Sequence, residues 1–253
     1  MPAQPSYTLV VPTAYGQMLI NRHDTNQANA LIKTGRAFDA GEVQLLCDLA
    51  MRLPEGTTFL DIGANFGAFS LPMAQVLAPR GGVVHAFEAQ RVIAYMLCGT
   101  VVLNSLANFF VHHMAVSDQE GEIDIPAFDY HQPASFGSIE FGAEQKEFIG
   151  QKRLPANGDR VPQKSIDQLH LPAVRLMKID VEGMEMAVLR GAKNTIETHR
   201  PWVLIEWIKS DRAALAGFFE ALQYKVFRVG GNLLCMPPDS PISITPQLPD
   251  WRT

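Results

Sequence analysis

Three short stretches of this 253-residue sequence carry residues that could do chemistry. In the first, TFLDIGANFGAFSLPMA, an apolar run ends at Asp61, is broken by Gly63 and Gly67, and resumes with helical spacing. Glycines at such a point allow a tight strand-to-helix turn with close ligand approach, and the free N–H groups of the next helix can face an anion. The alternatives are a phosphate cradle, a dinucleotide site, a nest for another nucleoside cofactor, and a plain turn.

The second stretch, AFEA, distinguishes among these alternatives. No Gly-Lys-Ser or Gly-Lys-Thr follows the glycines, which excludes a Walker A loop, and Asn65 stands where a dinucleotide fingerprint could have its second glycine. Glu88 ends a predicted strand, where it either accepts the ribose hydroxyls of a cofactor or is a solvated acid. A carboxylate such as Asp61 disfavours a pyrophosphate but favours the ammonium and sulfonium of S-adenosyl-L-methionine. The pair therefore predicts S-adenosyl-L-methionine rather than NAD.

The third stretch, KIDVEGMEM, carries Asp180 and Glu182 at the end of another predicted strand. Residues two apart on a continuing strand face the same side, so both carboxylates are predicted to project into one cleft. Either could be a general base or orient a hydroxyl, or one could cap the helix that begins near Met184. A metal bridged by both is a further alternative, but the spacing supplies no third ligand, so we predict no metal. Glu206, on the next strand, either lines an acceptor pocket or is solvated, and Lys178 is expected to pair with a carboxylate.

Alternating strands and helices must position these residues. From residue 57 onward the apolar pattern switches repeatedly between strand and helix periods, which predicts a parallel sheet covered on both faces. The last two strands are separated only by Gly230, Gly231 and Asn232, a hairpin connection, so one of them must be antiparallel. The predicted fold class is α/β, a doubly wound, mostly parallel seven-stranded sheet with a C-terminal antiparallel hairpin strand.

Two regions differ from this alternation. Residues 1–56, with strands over Tyr7–Val11 and Gln17–Ile20 and a helix over Gly41–Leu53, are predicted to form a cap packed on a main domain at 57–253. The polar, turn-rich segment 128–160 is too long for a simple crossover and is predicted to be a substrate loop.

Composition and charge limit the partners. The net charge is −5 and no basic run occurs, which argues against nucleic acid. The three distant cysteines form neither a metal motif nor a disulfide framework, which favours a reducing compartment. No signal peptide and no apolar run of membrane-spanning length is read, so a cytoplasmic protein is expected.

The sequence resembles FkbM-type methyltransferases from about Gly35 to Trp207. GRAFDAGEVQLL resembles the family's lead-in helix, FLDIGANFGAFSLPMA its cofactor loop, VVHAFEAQ and MAVSDQEGEI its next two strand motifs, and FGSIE its Gly-Ser element. SIDQL, MKIDVEGMEMAVLRGAKNTI and RPWVLIEW complete the resemblance. Two positions depart from it, since Ala89 replaces a common Pro and Thr100 a common Asn. The resemblance implies a class I methyltransferase fold.

The expected activity is S-adenosylmethionine-dependent O-methylation of a hydroxyl on a sugar, glycan or secondary metabolite. One alternative is nucleic-acid N-methylation, but the Asn/Asp-Pro-Pro-aromatic tetrad typical of such enzymes is missing, because the sequence at that place reads Asp180-Val181-Glu182-Gly183. The other alternative is a non-catalytic cofactor-binding interaction module. The final hairpin leaves a sheet edge that could pair, which leaves a homo-oligomer open. The expected catalytic residues are Asp180 and Glu182, and the expected substrate contacts are Glu182, Glu206 and Ser138. The expected cofactor contacts are Asp61, Gly63, Asn65, Gly67, Glu88, Ala89, Ala115, Val116 and Asp180.

Overall fold

A computed structural model describes residues 5–141, 145, 147–154, 158–244 and 248–252 of the chain. The N-terminal region forms an antiparallel pair of strands, β1 (Thr8–Thr13) and β2 (Gly16–Asn21), and two helices, α1 (Gln27–Thr34) and α2 (Ala40–Ala50). Helix α1 is absent from the sequence interpretation, because its eight residues have few apolar positions and only Ala28 and Leu31 are buried.

The remaining elements alternate between strand and helix as the periodicity predicts. In chain order they are β3 (Thr58–Ile62), α3 (Ser70–Leu77), β4 (Val83–Glu88), α4 (Arg91–Leu103), β5 (Phe109–His113), β6 (Ala115–Val116), β7 (Gly121–Ile125), β8 (Asp159–Lys164), β9 (Val174–Ile179), α5 (Glu185–Gly191), α6 (Lys193–His199), β10 (Trp202–Glu206), α7 (Arg212–Ala221), β11 (Lys225–Val229) and β12 (Asn232–Met236).

Seven of these strands form the central sheet, in the order β11-β12-β10-β9-β3-β4-β5. All neighbouring pairs from β10 to β5 are parallel, whereas β12 runs antiparallel to both β10 and β11. The predicted mostly parallel sheet with a terminal hairpin strand is therefore confirmed. The strand order reverses beside β3, and in open α/β sheets ligands bind at the carboxyl ends of the strands at such a point.

A small second sheet, β6-β8-β7, projects from the central one. The apolar stretch FFVHHMAV does not form a single strand: it breaks at Met114, whose N–H donates to the carbonyl oxygens of Glu88 and His112, and Ala115 and Val116 join the second sheet. Strand β7 pairs antiparallel with β8. Residues 142–144, 146 and 155–157 of the predicted substrate loop lie outside the described residues.

The N-terminal elements pack directly on the main domain. Met18, Ile20 and Leu31 are fully buried and belong to the same apolar cluster as Phe59 on the central sheet. The Leu19 N–H donates to the buried Thr100 hydroxyl on α4 (3.0 Å), so threonine at this position joins the cap to the domain.

The free edge of the hairpin is partly covered by the chain itself. Phe227 forms an isolated antiparallel bridge with Asp250, and the Arg228 N–H donates to Pro249. None of the helices in the described part of the chain has the length and apolar character needed to cross a membrane.

Candidate active site

A cleft at the carboxyl ends of β3, β4 and β9 holds the glycine loop. This glycine-loop cleft has about 770 Å³ of empty space, part of it open to solvent, and its lining includes Gly63, Asn65, Glu88, Ala89, Ala115 and Val116. Asp180 lines the same cleft, so seven of the nine expected cofactor contacts lie in its lining. The structure places the remaining two, Asp61 and Gly67, behind this lining.

Gly63 lies where two loops meet. Its φ of +82° is in the left-handed region, and a Cβ at this position would lie 1.7 Å from the carbonyl oxygen of Asp180. The N–H groups of Gly63 and Ala64 both donate to Phe87, and the Asp180 N–H donates to Ile62. Only glycine therefore fits where the loop after β3 passes the loop after β9.

Gly67 has a packing role. Its φ is +87°, and a Cβ would lie 2.5 Å from Cδ1 of Leu97 on α4. The absent side chain lets the turn into α3 approach α4, so this glycine shapes the cleft from outside.

Glu88 is oriented by the backbone around it. Its carboxylate accepts the N–H of Asn65 (2.9 Å) through one oxygen and that of Gln90 (2.8 Å) through the other. Burial raises the pKa of Glu88 to about 7, and the two hydrogen bonds oppose that rise. A carboxylate that is fixed and lines the cleft is suited to accept hydrogen bonds from a ligand's hydroxyl groups when it is ionised.

Asn65 contributes an unused acceptor. Its φ is +49°, a conformation that asparagine tolerates, and its buried side-chain oxygen has no hydrogen-bond partner among the described residues. Its Nδ2 would lie 2.6 Å from a Cβ added at Gly137, so the 3₁₀ turn over Phe136–Ser138 sits directly on this side chain.

Asp61 lies beneath the cleft in a buried charge network. It accepts the Ser70 hydroxyl (2.6 Å), and the Lys178 ammonium lies 3.7 Å from its other oxygen. Lys178 also donates to the Gly63 carbonyl (2.8 Å) and pairs with Asp180 (3.1 Å), which confirms the expected pairing with a carboxylate. Burial by itself would lower the pKa of Lys178, but its pairs with Asp180 and Asp61 raise it. The lysine is therefore a permanent cation that fixes the glycine loop to the end of β9.

A second cleft opens beside the first and has about 1000 Å³ of empty space. Its lining includes the acids Asp39, Glu42, Glu147, Asp180, Glu182 and Glu206, so we call it the carboxylate cleft. Asp180, Glu182, Asn65 and Gly137 line both clefts. A group bound in one cleft can therefore meet a group bound in the other at this shared wall.

Asp180 and Glu182 converge as expected, but not for the expected reason. The prediction of a continuing strand is wrong, because β9 ends at Ile179 and Glu182 has a left-handed φ of +57°. Glu185 holds this turn: its carboxylate accepts the N–H of Val181 (3.0 Å) and of Gly183 (3.1 Å). Among the described residues no side chain caps the start of α5, so neither Asp180 nor Glu182 takes the capping role considered for them, and Glu182 is left facing the clefts.

Glu206 completes a carboxylate triad with Asp180 and Glu182. One oxygen from each side chain lies within 4.8 Å of the other two. Burial and then the two neighbouring acids raise the pKa of Glu206 to about 9, and burial and Asp180 raise that of Glu182 to about 7. Lysines already pair with Asp180 and Glu182, so the triad is not a free ligand set, and we assign no metal to it.

Lys209 is the residue that the sequence interpretation missed. It follows β10 in the loop before α7, and its ammonium lies 2.7 Å from a Glu182 oxygen and 3.0 Å from the Ser138 carbonyl. Ser138 itself contributes a backbone oxygen here, while its hydroxyl pairs with that of Ser135. The available signal was position alone, because loops at the carboxyl edge of such a sheet build binding sites.

Comparison with known proteins identifies the family. A family model for the methyltransferase FkbM domain matches residues 61–227, which is more than half of the chain. The chain belongs to the FkbM methyltransferase family. The resemblance read from the sequence is thus confirmed, with Ala89 at the cleft lining and Thr100 on α4 as its two departures.

Several solved methyltransferase structures are similar to this FkbM-family chain. Methyltransferase FkbM from Methylobacillus flagellatus KT aligns with a TM-score of 0.51 at 17% identity, covering 73% of this chain and 44% of that one. Precorrin-6y C5,15-methyltransferase from Geobacter metallireducens GS-15 aligns at 0.44 and 13% identity, covering 77% and 85%. The Pyrococcus abyssi tRNA (uracil-54, C5)-methyltransferase in complex with S-adenosyl-L-homocysteine aligns at 0.44 and 13% identity, covering 92% and 44%.

The family match and the M. flagellatus structure show a class I methyltransferase fold. The chain spans less than half of the length of the M. flagellatus protein. No curated protein sequence matches it significantly.

Proposed function

We propose that this protein is an S-adenosylmethionine-dependent O-methyltransferase whose acceptor is a hydroxyl group of a sugar, glycan or secondary metabolite. The observation that carries the proposal is the wall shared by two clefts. Asp180 and Glu182 line both the glycine-loop cleft, which has nucleoside-binding features, and the carboxylate cleft. Two bound reactants would meet at carboxylates able to take up a proton.

The glycine-loop cleft fits the proposed cofactor. Gly63 leaves room for close backbone approach, Glu88 offers carboxylate oxygens to ribose hydroxyls, and Asn65 has a buried oxygen to which no described residue donates a hydrogen bond. Ala115 and Val116 give the cleft an apolar wall suited to a purine base. Asp61 acts from below the cleft: Lys178, which itself lines the cleft, lies 3.7 Å from it and donates to the Gly63 carbonyl, and this network fixes the loop.

When bound, S-adenosylmethionine supplies an electrophilic methyl group on a sulfonium. The chain's residues hold the acceptor hydroxyl at the shared wall and remove its proton. The Lys178 pair fixes the Asp180 carboxylate, so Asp180 orients the hydroxyl, and Glu182 beside it has a pKa of about 7, matched to proton uptake near neutrality.

Charge supports a hydroxylated acceptor over a nucleic acid. Among the described residues, six carboxylates and a single lysine line the carboxylate cleft. This excess of negative charge disfavours the binding of phosphate groups. Carboxylates and the amide of Asn232 are good partners for hydroxyl groups, and the exposed Phe38 ring offers a face on which a sugar can stack.

Calorimetric titration with S-adenosylmethionine and, separately, with NAD tests the cofactor. Binding of the former alone is expected, with loss in Glu88→Ala and retention in Glu55→Ala, an exposed glutamate outside both clefts. Binding of NAD, or equal binding by the two variants, contradicts the assignment.

Transfer of a labelled methyl group to a panel of hydroxylated glycans, macrolides and transfer RNA tests the reaction. Asp180→Asn and Glu182→Gln should keep cofactor affinity and lose turnover. Methylation of the RNA instead favours the nucleic-acid alternative. If Asp180→Asn and Glu182→Gln retain full turnover, the catalytic assignment is wrong. An interaction module would bind cofactor and transfer nothing to any acceptor.

A further inference from the structure

Lys209 joins three parts of the carboxylate cleft. Its ammonium contacts the Glu182 carboxylate at 2.7 Å, the Ser138 carbonyl at 3.0 Å and the Glu147 carboxylate at 3.6 Å. Its side chain is mostly buried, and among the described residues it is the only lysine or arginine lining this cleft. These contacts connect the loop after β10 with the turn after β9 and with the segment that follows β7.

We propose that Lys209 is a positioning residue that selects Glu182, rather than Asp180 or Glu206, as the group that accepts the proton of the acceptor hydroxyl. This inference rests on the proposed function and deepens it, because it names the residue that makes Glu182, and not a neighbouring acid, the base. The chain's own step is a proton transfer: the hydroxyl O–H bond breaks and the proton moves to a Glu182 oxygen. The oxygen's electron pair would then form the bond to the methyl carbon as the carbon–sulfur bond breaks, and S-adenosylhomocysteine would be the leaving group.

Asp180 is unsuited to this role because its ion-pair partner, Lys178, is buried and shared with other groups. Lys178 contacts Asp180, Asp61 and the Gly63 carbonyl at once. Loss of the Asp180 charge would weaken a buried pair and leave the lysine with less compensation. Asp180 is therefore fixed by Lys178 and serves as an orienting group.

Glu206 is unsuited for the opposite reason. In the described part of the chain no lysine or arginine lies within ion-pair distance of it, and Asp180 and Glu182 face it closely. Burial and these two acids raise its pKa to about 9, so it carries a proton at neutral pH. A protonated carboxyl donates a hydrogen bond and cannot serve as base.

Glu182 differs from both because the charge of Lys209 opposes the effect of the neighbouring acids on its pKa. Burial, Asp180 and Glu185 raise the pKa of Glu182, while the hydrogen bond and charge of Lys209 lower it, with a net value of about 7. Glu206 also faces this site, and Glu147 shares the lysine. Without the cation, Glu182 would be surrounded only by acids and would hold a proton at neutral pH, as Glu206 does.

The first test needs no acceptor. Glutamate carboxyl carbons labelled with ¹³C are titrated by NMR in the wild type, Lys209→Met, Lys209→Arg and Lys225→Met, with Glu182→Gln assigning the signal. Lys225 lies exposed on β11, outside both clefts, and controls for loss of one positive charge. In Lys209→Met we expect the Glu182 midpoint to rise by about one pH unit or more. Lys209→Arg and Lys225→Met should titrate like the wild type.

The second test uses turnover with whichever acceptor is methylated. The acidic limb of the kcat profile should move to higher pH in Lys209→Met and return in Lys209→Arg, with cofactor affinity unchanged throughout. An unmoved Glu182 midpoint in a folded Lys209→Met protein overturns the inference. A moved midpoint with an unmoved kcat limb also overturns it, because Glu182 would then not be the base. Absence of cofactor binding in the wild type would instead refute the proposed function, which separates the two failures.

Discussion

Replacing Gly63 by alanine tests whether the two loops are held together as closely as the structure indicates. The new Cβ would lie 1.7 Å from the Asp180 carbonyl oxygen and 2.8 Å from its carbon. Both are backbone atoms that cannot rotate away, and a φ of +82° adds strain for alanine. The left-handed conformation costs about 1–2 kcal/mol and overpacking about 1–3 kcal/mol. The free energy of unfolding should therefore fall by about 2–5 kcal/mol, a large share of the ~5–15 kcal/mol of a typical domain.

Gly81→Ala is the matched control. Gly81 also has a positive φ, +67°, but a Cβ there would meet no atom within 4 Å. Gly81→Ala introduces the backbone strain without the clash, so its free energy of unfolding should fall by about 1–2 kcal/mol at most. Urea denaturation followed by circular dichroism measures both, and at about 2–4 °C per kcal/mol the two variants should also separate in Tm. Equal losses in the two variants would refute the close approach of Gly63 to Asp180.

Three further outcomes are expected. Because a protonated Glu88 accepts fewer hydrogen bonds, the affinity for S-adenosylmethionine should fall as the pH drops below about 7, and Glu88→Gln should remove most of this dependence in calorimetry at several pH values. Lys178→Met leaves Asp61 buried beside no cation and should cost about 3–5 kcal/mol of unfolding free energy, with part recovered by adding Asp61→Asn, as measured by denaturation. Since lysines already occupy two members of the carboxylate triad, EDTA should leave methyl transfer unchanged, and a loss restored by a divalent cation would contradict this.

The sheet was predictable because local pattern and global fold agree. Strand and helix periods alternate without conflict from residue 57 onward, and the Gly230-Gly231 turn marks the antiparallel strand. The small second sheet was not predictable, since β6 has only two residues and pairs with a strand more than forty residues away. Helix α1 was missed because its stability comes from packing Leu31 against the domain rather than from a strong pattern of its own.

The candidate site was likewise predictable from the sequence only in part. The sequence placed Gly63, Glu88 and Glu182 near one another, because each follows a strand of one parallel sheet. It could not reveal that Glu182 reaches the cleft through a left-handed turn held by Glu185, because that depends on hydrogen bonds formed only in the folded chain. Lys209 was invisible for a similar reason: a lysine in a loop is usually solvated, and only its contact with Glu182 distinguishes it.

Asp24 has a consequence for how acceptor specificity can change. This buried carboxylate accepts N–H groups from Asn26, Ala28 and, at 3.1 Å, Phe136, and its backbone bridges to Ala134. Asp24 thereby joins the first fifty residues to the segment after β7, close to the two clefts. Grafting either piece alone from a relative would break this junction, so they should be exchanged as a pair. The boundary predicted near residue 56 is thus a poor place to cut the protein, and chimaeras should carry both pieces.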